Sequence, residues 1–317
     1  MMEKLFFKVL AKVLAKVLAK VLGWVFVVLL LTGCGKKSNE NYNNPTKLIY
    51  GIVPSEDAEH TLKKMDAITR YFSKKLNIEV ECIQVSNYSA LIEAMRAKKI
   101  HMCQAGAFVY ILAAEKANAE AIITTQVSSG DPRFNESCFI TYPGSGINNV
   151  EDVVAHSKNI TLIWAYPTSA TGHLIPRYYL QQRGVMPEDF KEVFTSTDHA
   201  ATILTIASHK ADVAAIFYPT LDMFIKTKKI KEGDVKIIWM SQPVASAPVF
   251  VRKELDAGLK KRIQQAYLSL KKDSPETYSA VRSQYKYDVN YIVAHDSLYT
   301  PIRAMANQIE GLEIKAE

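Results

Sequence analysis

From Leu48 onward, short apolar runs alternate with stretches in which apolar residues recur every three or four positions. Leu48-Ile49-Tyr50-Gly51-Ile52-Val53-Pro54 reads as a buried strand ended by Gly and Pro chemistry. Between His60 and Leu76, the residues Leu62, Met65, Ile68, Tyr71, Phe72 and Leu76 follow helical spacing. A strand over 80–85, a turn at Asn87 and Tyr88, a helix over 89–98, a strand over 100–104 and a helix over 108–118 follow. After Gly130-Asp131-Pro132 the alternation resumes. Strands are predicted over 137–142, 160–165, 193–194, 213–216 and 237–240, with helices over 150–155, 171–183 and 199–208. Gly184 stands where a C-cap glycine would, and the portion from Lys253 reads as mostly helical. This predicts an α/β protein of two lobes, each a mainly parallel sheet flanked by helices. Residues 47–130 and 243–317 would form one lobe and 131–242 the other, with a ligand cleft between them.

The chain before Leu48 has a different pattern. Residues 8–23 repeat Lys-Val-Leu-Ala, with Gly23 in the last place, and Trp24 to Leu31 is wholly apolar. A basic stretch followed by a short apolar one describes an export signal, too short in its apolar part to span a bilayer. It closes on Leu31-Thr32-Gly33-Cys34, which resembles a lipoprotein lipobox, so residues 1–33 are expected to be a signal peptide and Cys34 a lipidation site. The Asn-rich polar stretch over 34–46 reads as a flexible tether.

Charge then says less than the formal +7 suggests, because five Lys and one Glu within residues 1–33 carry +4 of it and leave +3. No dense basic stripe with interleaved aromatics is present, which argues against nucleic acid as a partner. Cys82, Cys103 and Cys138 lie in apolar segments without CxxC spacing; buried free thiols are the default, and a Cys82 to Cys103 bridge stays open. No Gly-x-Ser-x-Gly elbow, His-Glu-x-x-His helix or Lys-containing phosphate loop occurs, so an exported enzyme has little support. No cofactor or metal is called for.

The candidate chemistry lies in Trp164-Ala165-Tyr166-Pro167-Thr168-Ser169-Ala170-Thr171-Gly172-His173-Leu174-Ile175-Pro176. An apolar strand runs there into hydroxyls and a glycine at a helix start, where unpaired N–H groups and the positive end of the helix dipole favour an anion. Taken alone, Ser169 or Thr171 could equally be a helix cap. Tyr88 has an alternative role at a strand edge, His199 as a first-turn residue and Asp212 as a turn or cap residue.

Several segments, in order, carry a resemblance. They are Gly51 to Asp57, Asn87 to Met95, Ala105 to Tyr110, Pro167 to Pro176, His199-Ala200-Ala201 and Ala211-Asp212-Val213-Ala214-Ala215. Over nearly all of 47–305 the chain resembles the PhnD-like phosphate, phosphite and phosphonate substrate-binding proteins of ABC importers, which have the type II two-lobed periplasmic-binding-protein fold. The resemblance implies that Thr168, Ser169 and Thr171 bind oxyanion oxygens, with Tyr88 reaching from the other lobe and His199 flanking. Gly106 and Tyr110 would complete the pocket, and Tyr218 would belong to an aromatic wall. Members that bind aminoethylphosphonate place carboxylates at the ligand's ammonium group. Phe217-Tyr218-Pro219-Thr220 and Val244-Ala245-Ser246-Ala247-Pro248 offer none here, which disfavours an amino-bearing ligand. The implied protein is monomeric and lipid-anchored, binds a small anion and works with a membrane permease. A ligand-sensing lipoprotein of the same fold, or one binding a non-phosphonate metabolite, is the alternative.

Overall fold

The computed structural model describes residues 42–53, 58–127, 130, 133–282, 289–309 and 312. The expected signal peptide over 1–33, Cys34, the tether as far as residue 41, Pro54 to Asp57 and Asp131-Pro132 lie outside the described residues. Among the described residues no helix is long and apolar enough to cross a membrane.

Two large sheets organise the compact unit from Tyr42, beside a two-stranded antiparallel pair of β5 (Arg133–Asn135) and β11 (Val244–Ala245). The first contains β1 (Lys47–Ile52), β2 (Glu79–Gln84), β3 (Met102–Gln104), β4 (Ala119–Val127), β12 (Val249–Arg252) and β13 (Val289–Val293), in the order β13-β4-β12-β3-β1-β2. The second contains β6 (Ser137–Thr141), β7 (Thr161–Trp164), β8 (Glu192–Thr195), β9 (Val213–Phe217) and β10 (Lys236–Met240), in the order β10-β6-β9-β7-β8. Helices cover both faces of each sheet, among them α4 (Val150–His156) on the second and α9 (Pro275–Arg282) on the first. Leu48 and Tyr50 of β1 pack with α1 (Ala58–Leu76) and α8 (Ala257–Asp273) on one side, while Ile49 faces α2 (Tyr88–Arg96), α3 (Ala107–Ala117) and α10 (Thr300–Gln308) on the other. A strand covered on both faces loses clean alternation, which is why β1 reads as a continuous apolar run.

The sheets are mixed rather than mainly parallel. β1 runs parallel to β2 and β3, and β7 to β8 and β9. The crossing strand β4 and the return strand β12 pair antiparallel with each other, and β12 also pairs antiparallel with β3. A chain that leaves one lobe and later re-enters it brings its crossing strands back against the direction of the first βαβ units. β13 then adds antiparallel to β4, inside the portion read as mostly helical, and its Val-Asn-Tyr-Ile-Val composition suits a strand.

Beside β4, buried side chains tie the strand to the segment that leads into β12. Thr125 Oγ1 and Ser246 Oγ are 2.8 Å apart, and Tyr299 Oη donates to the Ser246 carbonyl at 3.1 Å. Across the lobes, Gln181 Nε2 of α5 (Ile175–Gln181) donates to the Gln308 carbonyl at 2.7 Å. The last residues of the expected tether are docked rather than free. Arg252, wholly buried, donates through Nη2 to the Tyr42 carbonyl, and the Asp256 amide donates to the Asn43 carbonyl at 2.6 Å. A buried guanidinium needs acceptors, and this end of the chain supplies one.

Sheet register also settles the cysteines. Tyr50 of β1 pairs with Cys82 of β2, and the next residue, Gly51, pairs with Cys103 of β3, so the two thiols stand on opposite sides of β1. Two strand spacings put them about 9–10 Å apart, beyond the roughly 7 Å Cα separation a disulfide spans. Cys82, Cys103 and Cys138 are free. Denatured without reductant, the protein should titrate all three as thiols; an unreduced digest containing a Cys82–Cys103 crosslinked peptide would contradict this register.

Candidate functional site

The segment after β7 is a π turn over Ala170–Leu174 followed by α5, not one α-helix over 171–183. Pro176 explains part of this. It has no N–H to give the Gly172 carbonyl, which instead accepts the Ala165 amide at 3.0 Å. The wider turn sends the Leu174 amide to the Ser169 carbonyl at 3.0 Å and the Ile175 amide to the Ala170 carbonyl. That leaves the Thr171 carbonyl to accept Ser137 Oγ at 2.5 Å. Each displaced backbone group finds a new partner, and the turn is locked to β6 and β7. Such π turns recur at functional sites.

Within this turn Ser169 is the N-cap, its Oγ accepting the Gly172 amide at 2.9 Å. His199 opens α6 (His199–Ala207), where Asp198 caps the helix through the Ala201 amide at 2.7 Å. The Phe217 backbone N–H donates to His199 Nδ1 at 3.0 Å, so Nδ1 is bare and the proton resides on Nε2. Nε2 lies 3.3 Å from Ser169 Oγ, and with this tautomer Nε2–H donates. Both acceptor positions of the Ser169 hydroxyl are therefore filled, and its proton is left to donate, with the Tyr166 hydroxyl as its partner in this structure. Burial pulls His199 down to about 4, opposed by the Asp198 charge, so the ring is neutral at ordinary pH.

Gly172 permits this arrangement. A Cβ there would sit 2.4 Å from Ala165 Cβ and 2.6 Å from His199 Cε1. The close approach of ring and turn requires the missing side chain.

The remaining expected site residues divide into two groups. Tyr88 opens α2, where Asn87 Oδ1 caps the Ala90 amide at 2.9 Å, and its ring stacks on Tyr166 with centroids 5.2 Å apart. The hydroxyls of Tyr88, Tyr166 and Ser169 interact, and burial raises both tyrosines. Thr168 and Thr171 flank Ser169, the first partly exposed and the second buried. Tyr218 begins α7 (Tyr218–Lys226), immediately after the Phe217 amide that holds His199, with its own amide on the Glu136 carbonyl at 3.1 Å. Gly106 opens α3 without a side-chain cap and borders open space. Tyr110 departs from expectation. Its hydroxyl donates to Asp296 Oδ1 at 2.6 Å and its ring packs between Phe250 and Tyr299, so it belongs to the first lobe's core. Reading from sequence took Gly172 as part of the helix start but did not single out Tyr166 or Ser137. For Tyr166 a signal existed, an aromatic directly after a strand and before Pro167 in the hydroxyl-rich turn. Asp212 is structural, its Oδ2 accepting the Thr161 amide at 2.7 Å.

Chemically, the cluster can donate but cannot act as a nucleophile and base. A serine–histidine pair of that kind needs a bare Nε2 facing the serine and an Nδ1–H held by a carboxylate. Here both nitrogens have the opposite roles, and Asp198 is committed to the α6 cap and to Thr197 Oγ1 at 3.0 Å. What remains is a set of neutral donors, suited to holding an anion without transforming it. Among the described residues no group of His, Cys, Asp and Glu could hold a metal ion.

Comparison with known proteins accords with that geometry. The family model of ABC transporter, phosphonate, periplasmic substrate-binding protein matches residues 50–299. The chain belongs to this family. As a binding protein of an ABC transporter it is a capture component, not an enzyme. It is 26% identical over 269 residues to the phosphonates-binding periplasmic protein of Escherichia coli K12, covering 84% of this chain and 78% of the relative. The phosphate-import protein PhnD of Mycolicibacterium smegmatis is 22% identical over 237 residues, covering 70% of this chain and 72% of that one. In fold, the binding protein is similar to PhnD1 from Prochlorococcus marinus in complex with methylphosphonate, with a TM-score of 0.73, 22% identity and coverage of 84% and 98% of the two chains.

Two outcomes test the site's construction. Gly172→Ala should destabilise the fold by ~1–3 kcal/mol through overpacking, read by urea denaturation. His101, His173 and His199 are each held at about 4, chiefly by burial, below the usual 6.5. The unfolded chain therefore binds more protons between those values, so stability is complete above pH 6.5 and falls as pH drops toward 4. The slope should reach about 1.4 kcal/mol per pH unit for each histidine, measured by unfolding at a series of pH values.

Proposed function

We propose that this protein is a lipid-anchored extracytoplasmic receptor that captures a small tetrahedral oxyanion of phosphonate, phosphite or phosphate type and delivers it, as a monomer, to an ABC permease. The observation that carries this reading is Ser169, whose hydroxyl accepts from Gly172 N–H and His199 Nε2–H and so has only its proton to offer, which a ligand oxygen would take in place of the Tyr166 hydroxyl. A donor of fixed direction, in a buried turn with Thr168 and Thr171 beside it, suits an oxygen that can only accept. His199 acts through Ser169 and stays neutral, so the clamp gains selectivity from geometry rather than from charge. Tyr88 contributes its hydroxyl from the other lobe. The relatives bear on the head group, since phosphonates, phosphate and methylphosphonate share a tetrahedral phosphorus centre.

The substituent is the finer question. The walls expected to meet it are Phe217 to Thr220 and Val244 to Pro248, which contain no carboxylate. A ligand ammonium buried there would lack a charged partner, so the reading favours an oxyanion without an amine. Lobe 1 would comprise 47–130 and 243–317 and lobe 2 131–242, closing on the ligand by a hinge at the two crossings. The lipid anchor rests on Leu31-Thr32-Gly33-Cys34 following the apolar signal.

Calorimetry of the full-length protein against phosphate, phosphite, methylphosphonate, aminoethylphosphonate and sulfate tests this. At least one phosphorus oxyanion should bind more tightly than aminoethylphosphonate. Ser169→Ala and Thr171→Ala should each weaken that ligand by ~1–3 kcal/mol, the scale of a hydrogen bond to a charged group. Unchanged affinity in both variants would move the site elsewhere.

A further inference from the structure

Tyr166 meets three of the groups assigned to the oxyanion site. Its ring stacks on Tyr88 at 5.2 Å with the planes 25° apart, and stands edge-on to His199 at 5.5 Å. Its hydroxyl interacts with those of Tyr88 and Ser169. Its backbone is held as well, the carbonyl accepting the Ser169 amide at 2.9 Å. Tyr88 comes from α2 beside the first sheet, whereas Tyr166, Ser169 and His199 belong to the second. The stack is thus an aromatic contact across the cleft, built on the turn that carries the oxygen-binding hydroxyls.

We propose that Tyr166 is a positioning residue for ligand capture: it clasps Tyr88 across the cleft and sets the Tyr88 hydroxyl over the Ser169 turn. The inference rests on the oxyanion reading of that turn. Tyr88 sits at the first position of its helix and packs against the buried cluster shared by α2, α3 and the turn after β7, while the stacked face of its ring is covered by Tyr166. Its stacking partner comes from beside the second sheet, so the ring contact adds to the alignment of the Tyr88 donor when the two sides of the cleft are together. Ring contact supplies the alignment, and the hydroxyl interaction adds direction. Offset aromatic pairs of this kind contribute beyond the area they cover. Because the contact bridges the two sides of the cleft, its loss should act on escape of the ligand rather than on encounter.

The test is dissociation of methylphosphonate and of phosphite from the full-length protein, by stopped flow and calorimetry, in Tyr166→Leu, Tyr166→Phe, Tyr88→Phe, Ser169→Ala and the Tyr88→Phe/Tyr166→Leu double variant. Tyr166→Leu should raise the dissociation rate roughly tenfold with association within about twofold, the scale of one lost aromatic pair. Tyr166→Phe, which keeps the ring, should restore most of the slow dissociation. Tyr88→Phe should cost at least threefold less affinity in the Tyr166→Leu background than in the wild type, a coupling that a merely structural residue would not produce. Equal Tyr88→Phe effects in both backgrounds, or a Tyr166→Leu variant that releases ligand at the wild-type rate, would overturn the clasp. Should Ser169→Ala bind as tightly as wild type, or the wild type bind neither probe, the oxyanion reading falls and the clasp with it. Weakening in Ser169→Ala with no effect of Tyr166→Leu removes the clasp alone.

Discussion

The hydrogen bond from the Phe217 backbone amide to His199 Nδ1, at 3.0 Å, is the contact on which the site's chemistry depends. It leaves the ring's proton on Nε2, and that proton goes to Ser169 Oγ. Ser169, already accepting from Gly172, is turned into a one-way donor. Reverse the tautomer and the same two residues would resemble a nucleophile and its base. One backbone amide at the end of β9 thus sets the direction of the Ser169–His199 hydrogen bond, and no sequence motif records it.

The scaffold serves that contact. β7 and β9 run parallel and adjacent, which puts the turn after β7 and the Phe217 amide at the end of β9 at the same edge of the second sheet. The π turn fits between them because Pro176 and Gly172 make an ordinary α-helix start unsuitable, one for want of an N–H and the other by allowing His199 to approach. Ser137 on β6 and Ala165 after β7 hold the carbonyls that this turn releases. The first lobe reaches the site through Tyr88, capped at Asn87, and through the packing of α3 against Ala170, Leu174 and Ile175.

Much of this was legible in the residues. Local patterning reports burial and capping, so β1, α1, β7, α6 and β9 were readable, as was the hydroxyl-rich turn itself. The unread parts depend on tertiary context. β4, with the sequence Ala-Glu-Ala-Ile-Ile-Thr-Thr-Gln-Val, lacks clean alternation because it is an inner strand between β12 and β13, and β13 lies in a stretch whose neighbours are helical. The antiparallel pairings of β12 follow from the chain's return, which no local window contains. Tyr110 was drawn into the pocket by position alone; its hydroxyl belongs to Asp296, 186 residues away in sequence. Tyr166 was overlooked because its partners, Tyr88 and His199, are distant in sequence and meet only when both lobes are built.

The most direct measurement is nitrogen-15 NMR of histidine-labelled protein at pH 6, before and after addition of methylphosphonate. The account predicts a neutral His199 with Nε2 protonated and Nδ1 bare in both states, and an Nε2–H resonance that moves when ligand takes the Ser169 proton. An imidazolium at His199 in either state, or a neutral ring protonated on Nδ1, would contradict it.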